Sequence, residues 1–162
     1  RVPLILSIPG MKNAGKKSAS LAELTDLYPT LADLCGLAKP SHLQGESLVL
    51  VLDNPKAKVR QTAFTVANAR GKIPGHKGPR PLGHTIRTER YRYTEWGEEG
   101  QGGAELYDRD KDPAELINLA GEARMKAAQA ELARALRQRV AEARKKPAGL
   151  VQIRFTNRRR VR

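Results

Sequence analysis

Glu23-Leu24-Thr25-Asp26-Leu27-Tyr28-Pro29-Thr30-Leu31-Ala32-Asp33-Leu34-Cys35-Gly36-Leu37 is the stretch on which the fold turns. Leu24, Leu27, Leu31 and Leu34 recur at spacings of three and four, which places them on one helical face. Pro29 is tolerated only in a first turn, so regular helix is predicted from near Tyr28 to Cys35, with Gly36 as the stop. Cys35, beside Leu34, reads as a small buried core residue.

Upstream, Val2-Pro3-Leu4-Ile5-Leu6-Ser7-Ile8 is a nearly continuous apolar run closed by Pro9-Gly10, which predicts a strand covered on both faces. Residues 11–20 are polar and lysine-rich and form a loop. Downstream, residues 47–52 are apolar again and end at Asp53-Asn54-Pro55. Residues 70–83 hold four glycines, three prolines and four basic residues, a long loop of a kind that is usually functional or disordered. Thr85 to Trp96 alternates like a hairpin whose turn falls at Glu89-Arg90, an unfavoured turn pair. Ala104 to Tyr107 gives a third strand. Asp112-Pro113-Ala114-Glu115 has the cap, proline and acidic residue of a helix start. Residues 122–146 predict a helix lined by Met125, Leu132, Leu136 and Val140 and ended by Pro147.

The chain has 162 residues, 40% apolar and only 4% aromatic, so a core must be built mainly from Leu, Val, Ile and Ala. It begins at Arg1 with its first methionine at Met11, and so reads as a processed chain or a fragment. No run of 18 apolar residues occurs in it. With 30 basic and 17 acidic residues its net charge is +13, which favours contact with anions. The excess gathers toward the C-terminal end, where residues 154–162 hold five arginines. A basic binding module for nucleic acid or other polyanions is therefore the alternative reading.

Three patterns approach known chemistry and stop short of it. Gly10-Met11-Lys12-Asn13-Ala14-Gly15-Lys16-Lys17 nearly matches the phosphate-binding loop G-x-x-x-x-G-K-(S/T), but Lys17 stands where a hydroxyl must bind magnesium. Asp108, Asp110 and Asp112 open like a calcium loop, but its glycine and glutamate positions hold Pro113 and Leu119. His42, His76 and His84 are scattered without ligand spacing. No residues form an acid–base or nucleophile set.

Taken in order, several segments resemble the sulfatase family, in particular the branch containing iduronate sulfatase and many bacterial sulfatases. Residues 23–37 are similar to the family's D-(I/L)-x-P-T-L-x-D-L-x-G segment, and Arg1-Val2-Pro3-Leu4-Ile5 looks like the strand after its metal-binding segment. Leu43-Gln44-Gly45-Glu46-Ser47-Leu48 follows as it should. Gly83 to Trp96 looks like the family's late hairpin, and Glu105-Leu106-Tyr107-Asp108, Asp112-Pro113, Glu115 and Asn118-Leu119 complete the order. The resemblance covers residues 1 to about 145. Leu50 departs from it, standing where many relatives have proline; the loop 70–83 is unusually basic, and the tail 147–162 has no counterpart.

The resemblance implies an α/β fold, in which the end of an alkaline-phosphatase-like sulfatase core (1–60) is followed by a small antiparallel sheet with a C-terminal helix (61–146) and a basic tail (147–162). It implies sulfate ester hydrolysis by an intact enzyme that carries Ca2+ and a formylglycine made from the cysteine of a C-x-(P/A)-x-R motif. Cys35 is followed by Gly36-Leu37-Ala38-Lys39 and is not that residue, so no catalytic residue or metal ligand transfers to this chain. The chain alone is expected to be inactive, with the N-terminal sulfatase core as its missing partner. By the same resemblance Arg80, Leu82 and His84 border the non-sulfate part of a sulfated small molecule or saccharide, and the intact enzyme is expected to be periplasmic or secreted.

Overall fold

The computed structural model describes residues 2–68 and 81–145. Four strands form one sheet: β1 (Ala63–Asn68), β2 (Leu82–Arg87), β3 (Tyr91–Trp96) and β4 (Ala104–Asp108). Each pairs antiparallel with the next, so the spatial order is the chain order. Phe64 lies opposite Ile86, Ile86 opposite Tyr93, and Tyr93 opposite Leu106, a row that takes one residue from every strand. Because side chains alternate across a pleated strand, this row commits one face of the sheet to the core. The helix α3 (Lys126–Arg144), entered through a 3-10 turn at Ala123–Met125, covers that row with Leu132 and Leu136. These two leucines are one turn apart and therefore point the same way. Burying each stabilises the fold by about 1.5–3 kcal/mol.

The predicted hairpin and final helix are present, with β2 beginning three residues earlier than the alternation suggested. The turn does fall at Glu89-Arg90. Thr88 rescues this unfavoured pair: its amide donates to the Tyr91 carbonyl at 2.9 Å, and its hydroxyl accepts the Tyr91 amide at 2.8 Å. On the opposite face, Gly83 lies beneath the Trp96 ring, and a Cβ there would come within 2.5 Å of it.

The N-terminal part is held differently. A 3-10 turn at Leu24–Asp26 leads into α1 (Leu27–Leu34), and α2 (Val49–Asp53) is a single short helix where the apolar run 47–52 was read. The leucine stripe of α1 does not face the core: Leu24 is 69% and Leu31 55% exposed. The buried positions are instead Asp26, Pro29, Thr30 and Ala32. The Thr30 hydroxyl donates to the Asp26 carbonyl and accepts the Leu48 amide at 2.8 Å, so polar bonds rather than leucines anchor this segment. Cys35 is exposed, because it caps α1 beyond the last packed turn and Gly36 then reverses the chain at φ 66°.

Two further expectations are corrected. Val2–Ile8 forms no strand and is largely exposed; it pairs with neither outer edge of the four-stranded sheet, so no ladder of hydrogen bonds forms on it. Asp112-Pro113 begins no helix. The Asp112 carboxylate does accept the amides of Leu116 and Ile117, at 2.7 and 2.8 Å, but Glu115 turns left-handed at φ 57° and ends the winding there. The strand β1 was not anticipated. The tail 147–162 and most of the basic loop lie outside the described residues.

Candidate functional site

Of the three residues assigned to substrate, Leu82 and His84 share one face of β2, two residues apart. Arg80 lies outside the described residues. Leu82 opens the strand and is 45% exposed, and its carbonyl accepts the Gly97 amide at 2.9 Å. His84 sits inside the strand. Its neighbours in register are Val66 and Glu95, and its ring stacks on Phe64 with centroids 6.3 Å apart.

Glu95 is the residue that the sequence reading missed. It is 3% exposed and accepts the Tyr93 hydroxyl at 3.0 Å and both Nη2 and Nε of Arg137, at 3.0 and 3.3 Å. Burial first, and then the bond to Glu95, pushes the Tyr93 phenol up to about 12. Arg137 also donates to the Glu99 carbonyl at 3.3 Å. A signal was available in the alternation, since Glu95 takes the same phase as Tyr93 and a buried carboxylate requires a partner. Nothing local points to an arginine 42 residues away.

Other charges are tied up structurally. Asp26 accepts the amides of Glu23 and Glu46, at 2.7 and 2.8 Å, and pairs with Arg60. Arg60 also meets Glu23 at 3.0 Å, and Glu23 in turn accepts the Phe64 amide at 2.8 Å. This buried network joins α1, the segment before β1 and β1 itself. Arg90 grips Asp108 with two nitrogens, at 2.7 and 3.1 Å, and holds its carboxyl below the usual range. Burial opposes ionisation of Glu115, but Arg92 and Arg109 outweigh it and lower its pKa.

The near-match to a phosphate-binding loop has another use. Asn13 donates to the carbonyls of Leu52 and Asp53, both at 2.9 Å, so it caps the end of α2, and residues 10–17 lead into no helix. Asp108 and Asp112 are spent on Arg90 and on backbone amides. Among the described residues no three His, Cys, Asp or Glu side chains come together as a metal cage. No described helix is long and apolar enough to cross a membrane.

Over residues 1–144 the chain matches the family described as N-sulphoglucosamine sulphohydrolase, C-terminal. The chain belongs to the sulfatase family. It corresponds to the family's C-terminal portion, the end of an alkaline-phosphatase-like core with its antiparallel sheet and C-terminal helix. It is 37% identical over 121 residues to a delta 4,5-hexuronate-2-O-sulfatase of Bacteroides thetaiotaomicron, covering 74% of this chain and 24% of that protein. To the arylsulfatase K of Mus musculus it is 32% identical over 123 residues, covering 75% of this chain and 22% of the relative. A solved 2-O GAG sulfatase superposes with a TM-score of 0.61 at 31% identity, covering 74% of this chain and 25% of that one. The chain thus spans about a quarter of the length of these relatives.

Proposed function

We propose that this chain is the C-terminal subdomain of a sulfuric ester hydrolase acting on a sulfated saccharide, and that it has no sulfatase activity by itself. The observation that carries the first part is the family match over residues 1–144 together with relatives named as saccharide and aryl sulfatases. For the second part, Cys35 is the one cysteine of the sequence and lies outside any C-x-(P/A)-x-R motif. The formylglycine and Ca2+ that the family implies find no fitting residues here, so no step of ester cleavage is assigned to this chain.

Its contribution is structural and to substrate. Val2, Ile5, Leu24, Leu31 and Leu37 form exposed apolar surface on the N-terminal part, between 55% and 88% accessible. Apolar surface of that extent suits burial against the remainder of an enzyme. We place the division at residues 60/61, between the end of the core and a sheet-and-helix subdomain, a reading supported by the start of β1 at Ala63. Arg80, Leu82 and His84 then border the non-sulfate part of the substrate, with the basic residues of 70–83 attracting further sulfate or carboxylate groups by charge-assisted bonds.

Two measurements test this. The purified chain should show no turnover of an aryl sulfate with or without Ca2+, and turnover persisting in a clean preparation refutes the division of labour. In the intact enzyme His84→Ala and Arg80→Ala should raise KM for a sulfated oligosaccharide. Unchanged values across a salt series remove both residues from the substrate site.

A further inference from the structure

The β3–β4 loop, Gly97 to Gly103, holds a residue under strain. Glu99 sits at φ 48° and ψ 27°, a left-handed conformation that a non-glycine residue keeps only when its surroundings enforce it. The bond that grips the Glu99 backbone comes from α3: Arg137 Nη2 donates to the Glu99 carbonyl at 3.3 Å. Arg137 is itself fixed by the two bonds it gives Glu95. The loop backbone runs close to the same side chain, since a Cβ added at Gly100 would lie 3.5 Å from Glu95 Cγ. Arg144 adds a second tether through Glu98 at 3.2 Å.

The loop transmits this grip to β2. It closes on itself through the Gly102 amide, which donates to the Trp96 carbonyl at 2.8 Å, and through the Trp96 amide on Gly103 at 3.0 Å. Its first residue then holds the start of β2, because the Gly97 amide donates to the Leu82 carbonyl. Glu95 is also the direct cross-strand neighbour of His84. The buried carboxylate therefore touches the strand start by two routes, one through the loop and one through the sheet.

We infer that Glu95 and Arg137 are a positioning pair, which clamps the Glu99 turn and thereby fixes Leu82 and His84 for the saccharide portion of the substrate. The inference rests on the reading of Leu82 and His84 given above. A residue acting through others in this way need never touch substrate, and small displacements of a positioning element are costly to binding or rate. The half-exposed guanidinium of Arg137 is consistent with such a clamp, since the carboxylate it serves is buried while its far side reaches the loop.

The test uses the intact sulfatase carrying this chain, an O-sulfated disaccharide and a small aryl sulfate. Arg137→Met should raise KM for the disaccharide about tenfold and leave kcat within about twofold, the pattern of lost uniform binding. The aryl sulfate, which has nothing to reach Leu82 or His84, should be cleaved as before. Arg137→Lys, which keeps the cation and loses the fork, should fall between. Adding Glu99→Gly to Arg137→Met should bring KM back toward the parent value, because glycine holds positive φ without a clamp. Amide exchange at Gly97 should accelerate in Arg137→Met. Unchanged disaccharide KM and unchanged Gly97 exchange, in an enzyme where His84→Ala does raise KM, overturn the clamp and leave the substrate reading intact. A lowered melting temperature with all kinetic constants unchanged also overturns it, as a purely structural pair. If His84→Ala itself has no effect, the substrate reading fails first.

Discussion

Removing Arg60 is the sharpest test of how the N-terminal part is held to the sheet. Its side chain is 6% exposed and sits between Asp26, fully buried, and Glu23, 9% exposed. Arg60→Met keeps the volume and deletes the charge, leaving two buried carboxylates. Breaking a buried pair from one side costs about 3–5 kcal/mol. Here the lower end applies, because Asp26 retains two backbone donors, and Glu23 retains the Phe64 amide, the Thr25 hydroxyl at 3.1 Å and Arg139 of α3 at 3.6 Å. About 3 kcal/mol corresponds to roughly 150-fold in an opening equilibrium. The readout is native-state hydrogen exchange at Glu46 and Phe64, whose amides bond directly to the two carboxylates. Both should exchange roughly 100-fold faster, while Leu106 in the middle of the sheet should change far less. Asp26→Asn added to Arg60→Met removes one uncompensated charge and should recover part of the loss, so the two changes should be non-additive. Exchange at Glu46 and Phe64 within about threefold of the parent, or strict additivity in the double variant, would show that the network is solvated and contributes little.

Three further outcomes follow from the same structure. Tyr93, pushed up from 10.0 to about 12, keeps its proton longer folded than unfolded; its stabilising effect is complete below pH 10 and should be lost as pH rises toward 12, which phenolate absorbance with parallel unfolding curves will follow. Asp108 and Glu115 are lowered from 3.8 and 4.5, so their contribution is present above those values and should fall away as pH drops below about 4; Asp108→Asn should flatten that acid limb, and an unchanged limb refutes the assignment. The isolated chain, with Val2, Ile5 and Leu24 exposed, should self-associate or bind a hydrophobic dye despite its charge; a monodisperse chain with no dye binding contradicts the packing face assigned to those residues.

What the sequence made legible divides by range. The final helix and the hairpin are local patterns, read from the apolar face Met125, Leu132, Leu136 and Val140 and from alternation, and both are present. Residues 63–68 carry the same kind of signal but are short, and β1 is completed only by register with β2 across the intervening loop. Val2–Ile8 and the stripe of α1 mislead for one common reason: apolar spacing reports that a face will be covered, and not by what. Leu24 and Leu31 stay largely exposed among the described residues, and the inward side of α1 is made by Pro29, Thr30 and Ala32, with the buried Asp26 just before it. Leu82 and His84 enter the candidate site as proposals drawn from resemblance alone, whereas the Glu95–Arg137 and Asp26–Arg60 pairs join residues 42 and 34 positions apart. Contacts of that separation have no periodic signature.

The charge distribution bears on the rival reading as a polyanion-binding module. Residues 69–80 and 146–162 carry ten basic and no acidic side chains, and so hold ten of the thirteen net positive charges. In the described part many arginines are paired: Arg60 with Asp26 and Arg92 and Arg109 with Glu115 in largely buried pairs, and the half-exposed Arg90 and Arg137 with Asp108 and Glu95. A folded surface patch that binds nucleic acid needs unengaged cations arrayed on one face. The sheet-and-helix unit uses its arginines as internal fasteners instead. Polyanion affinity of this chain is therefore expected mainly from the two basic segments, with the exposed Lys12, Lys16 and Lys17 as further cations of the described part. Deleting 147–162 should reduce the salt-dependent retention of the chain on heparin. Equal retention after that deletion, with residues 70–80 also neutralised, would place the anion-binding charge on the folded unit and revive the rival reading.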